Sequence, residues 1–355
     1  MRIPMPQRQT APHVRAEGSA MGMQGDIILM LFFLYTMPTI FFGPRVPLCG
    51  LLSAALCYLC DLGCQLLRRR RNPRDLSGVV TGLMIPLLLP ASIPFGVVLA
   101  AGLFAILVVK HPFGGLGQNP FNPAAGGLAF VSVTAPDLVF RYPMPAMPTT
   151  GWLPLFGTVE TALASGSAEQ LQSGSMPAYE PVDLLRGFFP GPVGTTCTLL
   201  VIGCLLYLLA RRTVTWHTPV AFLGTVAICA FLFPRLASGD RLDSMIYELL
   251  SGAAVFGAAI LMGDPVTTPR IASGRLLYGM IGGATLMALR HFGAYPQGMV
   301  FAVLIANAFS PMLDELTARA HTRRYRRLGQ DAWEAEERSE DIEAAGRTDE
   351  EVAGE

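Results

Sequence analysis

The stretch that decides the fold is His111–Gly127, HPFGGLGQNPFNPAAGG, which lies between two long apolar runs. It is rich in glycine and proline and contains Asn119 and Asn122. Proline interrupts a helix, glycine weakens it, and asparagine adds hydrogen-bonding groups. Irregular backbone at membrane depth is tolerated only where it is buried in protein or lines a cavity. The stretch therefore predicts a binding site built into a membrane protein.

The rest of the chain is apolar enough for that interpretation, with a mean hydropathy of +0.44 and only 15% charged residues. Apolar runs of about the length needed to cross a bilayer recur between Ile27 and Leu313. They predict an all-α polytopic membrane protein with ten transmembrane helices. The predicted spans are residues 27–43, 47–67, 77–93, 94–110, 123–140, 194–210, 214–234, 247–263, 276–292 and 298–314.

Basic residues predict the orientation, because cytoplasmic loops of membrane proteins carry an excess of Lys and Arg. With the N-terminus placed in the cytoplasm, 18 of the 24 basic residues before position 331 fall on the cytoplasmic side. Ten spans then return the C-terminus to the same side. The long segment 141–191 is expected to lie outside the cytoplasm.

Charge also separates the end of the chain from the spans. Residues 331–355 hold eleven acids and two arginines, so the formal net charge of zero conceals an acidic tail of −9. Such a run is typical of a solvated helix or a disordered segment, and it could also dock a partner. We divide the chain into a cytoplasmic segment 1–26, a first membrane unit 27–140, an outer loop 141–191, a second membrane unit 192–314 and a cytoplasmic tail 315–355.

The two membrane units repeat a pattern. MIPLLLP (Met84–Pro90) precedes NPFNPA (Asn119–Ala124), and MGDPVTTP (Met262–Pro269) precedes NAFSPM (Asn307–Met312). Each unit has five predicted spans, and an odd number of spans inverts the second unit relative to the first. Inverted repeats of this kind bring broken helices from both units to the membrane midplane, where they form a binding site.

Polar residues in the breaks are the candidates for that site. Asn119, Asn122 and Asn307 supply neutral donors and acceptors, and the N-termini of half-helices carry partial positive charge. Asp264 directly follows an apolar run and precedes Thr267. It is a helix cap at the membrane surface, a part of the site, or both.

The second predicted span has two further features. Asp61 is a carboxylate inside an apolar run, which is costly in a membrane and often functional. Cys57, Cys60 and Cys64 share one helix face by their spacing. A metal or cluster site is conceivable there, but free cysteine commonly serves as a small buried apolar residue. We therefore expect no bound metal.

Several motifs resemble one family over nearly the whole chain. GGLGQNPFNPA (Gly114–Ala124) is similar to the signature of the RnfD subunits of Rnf-type ion-translocating electron-transport complexes, which are themselves similar to the NqrB subunits of the sodium-translocating NADH:quinone reductase. DLSGVVTGLMIPLLLPASIP (Asp75–Pro94) and GAAILMGDPVTTP (Gly257–Pro269) resemble further spans of that family in the same order. The resemblance implies an electron carrier in a bacterial inner membrane, in a ferredoxin:NAD-type complex that moves Na⁺ or H⁺.

The resemblance also implies flavin. The family carries FMN joined by a phosphoester to a threonine hydroxyl in an extracytoplasmic loop, at the end of a Ser/Thr-x-x-Thr pattern. TVETAL matches with Thr158 at the first position and Thr161 as the acceptor, and Ser167 is a weaker second acceptor. The residues expected to hold a noncovalent flavin such as riboflavin near the broken helices are Asn119, Asn122, Asp264 and Thr267.

The partners implied are a flavoprotein subunit, further membrane subunits of the complex, a flavin transferase and the lipid bilayer; no nucleic acid is expected. Thr195 departs from the family, which commonly has glutamate there. The chain shows no dinucleotide-binding fingerprint and no cysteine pattern of an iron–sulfur protein, so it is not expected to run the overall reaction alone.

Two other functions fit the same pattern. Inverted repeats with broken helices also build channels and transporters for small solutes. A relative that keeps the fold but has lost its flavin is the other alternative. Covalent flavin on Thr161 separates the electron carrier from both.

Overall fold

The computed structural model describes residues 20–69, 75–145, 155, 163–236, 240–295 and 297–323, which are mostly helical. In the first half, α1 (Ala20–Phe42) and α2 (Arg45–Leu67) are long and apolar enough to cross a bilayer. The shorter helices that follow are α3 (Ser77–Leu87), α4 (Phe95–Phe104) with a π-helical continuation (Ala105–Lys110), α5 (Pro123–Thr134) and α6 (Pro136–Val139).

The connection between the halves has structure of its own. Its elements are β1 (Arg141–Pro143), β2 (Leu163–Ser165), α7 (Ser167–Gln172), α8 (Pro181–Arg186) and a 3₁₀ turn (Val193–Thr195). The strands pair antiparallel, with Tyr142 opposite Ala164. The all-α prediction therefore omits one small sheet, which lies in this connection and leaves the helical membrane class unchanged.

The second half repeats the mixture of long and broken helices. Its elements are α9 (Thr198–Ala210), α10 (His217–Leu232), α11 (Arg241–Leu250), α12 (Ala254–Phe256) with a π-helical continuation (Gly257–Leu261), α13 (Ala272–Phe292) and α14 (Met299–Arg323). The last of these helices is again long and apolar enough to cross a bilayer. Several apolar helices in both halves describe a multi-pass membrane protein.

The predicted span 77–93 is shorter as a helix than expected. Helix α3 ends at Leu87, because Pro86 and Pro90 cannot donate the backbone hydrogen bonds that would continue it. The side chain of Arg45, 2% exposed, donates to the carbonyl oxygens of Ala91 and Ile93 at 3.2 and 3.1 Å. A buried guanidinium thus satisfies carbonyl groups that the break leaves without helical partners.

The span predicted at 247–263 is a broken helix rather than a continuous one. Helices α11 and α12 together are long and apolar enough to cross a bilayer, but they are bent by 60° at the break between them. Gly252 in that break has a φ of +63°, a conformation that glycine adopts without steric cost. The break therefore redirects the chain toward the cavity described below.

Glycines allow the closest helix contacts in both halves. A Cβ atom on Gly82 of α3 would lie 2.5 Å from the Cα atom of Ala54 in α2. One on Gly279 of α13 would lie 2.6 Å from the carbonyl oxygen of Thr218 in α10. Close approach of helix backbones at small residues is how helices pack in membranes, where lipid supplies no hydrophobic driving force.

Candidate functional site

A cavity of about 140 Å³ is lined by residues from both halves of the chain. The first half contributes Asn119 and Asn122, which precede α5, and the second half contributes Asp264, which follows the π-helical turn after α12. Apolar side chains, including those of Met84 and Ile260, form much of the wall. The geometry brings together residues of the two breaks that the sequence repeat singled out.

Asn122 has two roles in this geometry. Its Oδ1 atom accepts a hydrogen bond from the backbone N–H of Ala125 at 3.2 Å, so it caps the N-terminus of α5, and Pro123 follows at the first helical position. Its Nδ2 atom donates to Oδ2 of Asp264 at 3.4 Å. The side chain therefore starts a half-helix and also contacts the opposite half of the chain.

Asp264 caps its own turn and also lines the cavity. Its Oδ1 atom accepts from the backbone N–H of Val266 at 3.1 Å, and its carbonyl oxygen accepts from the backbone N–H of Thr268 at 3.1 Å. Its Oδ2 atom is the one that meets Asn122. Of the two roles that the sequence left open, the structure therefore supports both.

The other expected residues divide into those on the cavity wall and those away from it. Asn119 is on the wall, and its Nδ2 atom donates to the carbonyl oxygen of Phe121 at 3.0 Å. Thr267 and Asn307 are buried but do not line the cavity. Asn307 accepts a 2.5 Å hydrogen bond from the hydroxyl of Tyr278, so within the described structure it ties α14 to α13. The break predicted at Asn307–Met312 is wrong, because α14 is continuous from Met299 to Arg323.

A buried ionic cluster adjoins the cavity. The Nζ atom of Lys110 lies 2.8 Å from Oδ1 of Asp61, and Nε2 of His111 lies 2.7 Å from the same oxygen. Asp75 follows at 3.9 Å from the Lys110 ammonium. All four side chains are at least nine-tenths buried. Asp61, suspected from its place in an apolar run, is thus paired with the Lys110 ammonium and the His111 imidazole, as a buried carboxylate requires.

Neutral polar groups extend this cluster to the cavity wall. Ser77, which lines the cavity, accepts a hydrogen bond from Lys110 at 2.6 Å and donates to Asp75 at 2.5 Å. Gln24, also on the wall, donates to Asp75 at 3.4 Å. The charges of Asp61 and Asp75 are therefore connected to the cavity through short hydrogen bonds.

Sequence reasoning missed Lys110, Gln24 and Ser77 as parts of the site. Lys110 lines the cavity, whereas the sequence pattern used it only as an indicator of orientation. The available signal was an ionisable residue at the very end of one predicted span and an opposite charge, Asp61, in another. Neither position alone specifies that the two side chains meet.

The residues expected to carry covalent flavin, Thr158 and Thr161, lie outside the described residues, so their role stays a prediction. Ser167, the second acceptor considered, is 2% exposed at the start of α7. A hydroxyl so deeply buried is poorly placed to reach the active site of a transferase, which argues against Ser167 as an acceptor.

The cysteine row of α2 has no ligand-like arrangement in the part of the chain that the structure describes. Cys57 is fully buried, whereas Cys60 and Cys64 are partly exposed, and all three are free thiols. No group of three His, Cys, Asp or Glu side chains there is arranged to hold a metal ion. Packing accounts for Cys57, whose sulfur lies against Gly102 of α4.

Comparison with known proteins gives consistent matches. A family model described as the NQR2, RnfD, RnfE family matches residues 7–323. The D subunit of the ion-translocating oxidoreductase complex of Vibrio cholerae is 31% identical in an alignment of 337 residues, which covers 87% of this chain and 96% of the relative. The D subunit from Ectopseudomonas mendocina is 32% identical in an alignment of 330 residues, which covers 87% of this chain and 94% of the relative.

A relative from Acetobacterium woodii carries a more specific name. It is the D subunit of the Na⁺-translocating ferredoxin:NAD⁺ oxidoreductase complex, 29% identical over 315 residues, which cover 87% of this chain and 92% of the relative. The matches extend over both membrane units rather than over one motif.

Proposed function

The chain belongs to the family of NQR2, RnfD and RnfE, and from this premise we propose that it is an electron-carrying membrane subunit of an ion-translocating oxidoreductase complex. FMN is attached to Thr161, and a second, noncovalent flavin occupies the cavity at Asn119, Asn122 and Asp264. The chain crosses the bacterial inner membrane ten times in two inverted five-helix units. Its partners are a flavoprotein subunit, other membrane subunits and the transferase that attaches FMN.

The observation that carries this proposal is the meeting of Asn122 and Asp264 across 142 positions of sequence, at 3.4 Å, on one cavity wall. Inverted-repeat membrane proteins place their sites where broken helices of the two units meet. A flavin ring has apolar faces and a polar edge of N–H and C=O groups. Apolar walls with an amide pair and one carboxylate supply the matching environment.

The cavity is smaller than a flavin ring system. A volume of about 140 Å³ is close to that of a protein cavity which accommodates a single benzene ring. A tricyclic flavin therefore requires wall side chains to shift. Met23 and Met84 on the wall are suited to this, since unbranched methionine adapts its shape readily.

In this proposal the bound flavin supplies the redox chemistry, and the protein supplies binding, orientation and electrostatics. Asn119 and Asn122 are placed to hold the polar edge, and the apolar wall excludes water. The names of the relatives support an ion-translocating complex; Na⁺ and the ferredoxin:NAD⁺ reaction are named for the Acetobacterium protein. We propose the same class of reaction, with Na⁺ or H⁺ as the ion.

Two substitutions separate the two flavins. The test uses cells that also produce a flavin transferase. Thr161→Ala should remove the covalent FMN, so that the denatured band no longer fluoresces, whereas the noncovalent flavin should still be released on denaturation. Asn122→Leu should keep the fluorescent band and lose the released flavin, because it removes the proposed contact to the polar edge of the noncovalent flavin and leaves the loop with Thr161 unchanged. In-gel fluorescence and chromatography of the released flavin measure both, and peptide mass mapping locates the FMN.

A Thr161→Ala band that stays fluorescent contradicts the attachment site. A wild-type chain without covalent flavin, alongside a flavinylated control protein, instead favours a flavin-free relative or a solute channel. Thr158→Ala is the matched loop control: it alters the recognition pattern but leaves the acceptor hydroxyl in place, so reduced rather than abolished labelling is expected.

A further inference from the structure

Lys110 is the single basic residue among the described residues that line the cavity. It ends the π-helical continuation of α4, and its side chain is 2% exposed. A buried ammonium is costly unless it is paired, and it interacts with its surroundings more strongly than a cation in water. A cation in this position acts on any ligand in the cavity.

Two of the three N–H groups of the Lys110 ammonium have hydrogen-bond acceptors. Of its three N–H groups, one faces Asp61 at 2.8 Å and one faces Ser77 at 2.6 Å. Asp75 is 3.9 Å away, beyond hydrogen-bond distance. Within the described structure, the third N–H thus has no acceptor at hydrogen-bond distance. It can donate to a ligand in the cavity while the hydrogen bonds to Asp61 and Ser77 are kept.

The second half of the chain offers an internal comparison. Lys110 and His111 are followed by Phe113 and Gly114, and the second unit has the similar sequence Arg290–Gly293, RHFG. Both cations are buried at the end of a helix and paired with a carboxylate from another element. The two are alike in position and charge.

They differ in what they hold. Arg290 donates to the backbone carbonyls of Glu248 and Ser251, at 2.6 and 2.9 Å, and so braces the break between α11 and α12. The hydrogen bonds described for Lys110 go to the side chains of Asp61 and Ser77. Lys110 also joins elements, since Asp61 lies in α2 and Ser77 in α3, but of the two cations only Lys110 lines the cavity.

We propose that Lys110 sets the reduction potential of the flavin in the cavity, with Asp61 as its opposing partner. This rests on the proposed function, because it takes the ligand to be a flavin. A flavin gains negative charge when an electron donor reduces it, so a fixed cation stabilises the reduced form and raises the potential. A fixed carboxylate has the opposite effect, and both effects are large where water is excluded.

The net charge of the cluster predicts an order of potentials. Lys110, Asp61 and Asp75 sum to −1, and His111, the fourth member of the cluster, is the same in every variant and does not change their order. Lys110→Met makes the sum −2 and should lower the potential, whereas Asp61→Asn makes it zero and should raise it. The double variant restores −1 and should return the potential close to that of the wild type. A purely structural role of Lys110 predicts no such reciprocal rescue.

The test uses the full chain in detergent with Thr161→Ala as the background, so that the released flavin is the only one present. Riboflavin is the added probe. Its content is measured first, and its potential is then determined by spectroelectrochemical titration in each variant. Lys110→Arg, which keeps the charge, should stay near the wild-type potential, and so should Arg319→Gln, which removes an exposed cation.

The outcomes are distinguishable. The expected order, with rescue in the double variant, supports the inference. Bound riboflavin with the same potential in all variants overturns the role of Lys110 and leaves the proposed function intact. A background chain that binds no riboflavin overturns the flavin assignment of the cavity and the inference with it. If Lys110→Met does not fold, the comparison of Asp61→Asn with Lys110→Arg decides, because only the former should raise the potential.

Discussion

At the scale of single residues, a second cluster of buried charges lies at the break between α11 and α12. Glu248 is fully buried, with Arg235 at 2.7 Å and Arg290 at 2.6 Å from its two carboxylate oxygens. Two cations share one carboxylate, and Arg235 also donates to the carbonyl oxygen of Arg290. Glu248 is thus the one counter-charge described for two guanidinium groups that are largely shielded from water.

Glu248→Gln should therefore be strongly destabilising although the side chain keeps its size. The change leaves two buried guanidinium groups without a counter-charge, and loss of one partner of a buried ion pair costs about 3–5 kcal/mol. The free energy of unfolding, measured in detergent by denaturant titration, checks this. The matched control is Glu315→Gln in the exposed pair with Arg319, expected to change stability by under about 1 kcal/mol. Equal effects of the two would contradict the buried-triad interpretation.

At the scale of elements, helix contacts in both halves depend on the absence of side chains. The closest approach of α3 to α2 is at Gly82, where an added Cβ would lie 2.5 Å from the Cα atom of Ala54 and 2.6 Å from the carbonyl oxygen of Ser53. Both neighbours are backbone atoms, which cannot rotate away. This contact positions α3, whose Ser77 and Met84 line the cavity.

Gly82→Ala should separate α3 from α2 and weaken both stability and flavin retention. Overpacking of this kind costs about 1–3 kcal/mol. Gly203→Ala in α9 is the control, because its Cβ would have no neighbour within 4 Å, and alanine there should stabilise the helix slightly. Thermal unfolding of the two variants in the same detergent compares them. A Gly82→Ala chain as stable as Gly203→Ala would show that the two helices are not held at this distance.

At the scale of the whole molecule, the described part of the connection between the halves, which includes residues 163–191, is folded rather than a bare loop. Leu171, Leu184 and Phe189 pack in a small core of their own, with Leu236 and Tyr247. Gln172 donates to the carbonyl oxygen of Gly293 at 2.8 Å, and Gln297 donates to the hydroxyl of Tyr142 at the same distance. These contacts hold the connection against the α13–α14 turn, so both belong to one side of the protein.

The orientation inferred from basic residues predicts that this side faces away from the cytoplasm. Ser175→Cys, at an exposed position in the connection, should react with a membrane-impermeant thiol reagent in intact spheroplasts. Thr322→Cys, exposed near the end of α14, should react only after the membrane is opened. The wild-type chain corrects for its seven cysteines. The reverse pattern would invert the topology, and labelling of both in intact cells would refute the expected number of crossings.

The sequence by itself determined the membrane class, the family and several of the places where helices break, among them His111–Gly127 and Met262–Pro269. It did not indicate the break at Gly252, and the break that it predicted at Asn307–Met312 lies inside the continuous helix α14. The properties that it determined are local or cumulative: a proline removes a hydrogen-bond donor wherever it stands, and hydropathy adds up along a segment. The predicted span 123–140 also begins where α5 begins, at Pro123. That the second acceptor, Ser167, is buried was not visible in this way.

Only the tertiary structure decided which polar groups meet. Lys110 and Asp61 are 49 positions apart and pair at 2.8 Å, and Asn122 reaches Asp264 from the opposite half. These contacts depend on the rotation of each helix about its axis and on the crossing points permitted by glycines such as Gly82. Hydropathy and breaker residues specify where a helix runs but not which neighbour each of its faces contacts. For that reason the position of Lys110, a buried cation on the cavity wall, became apparent only from the fold.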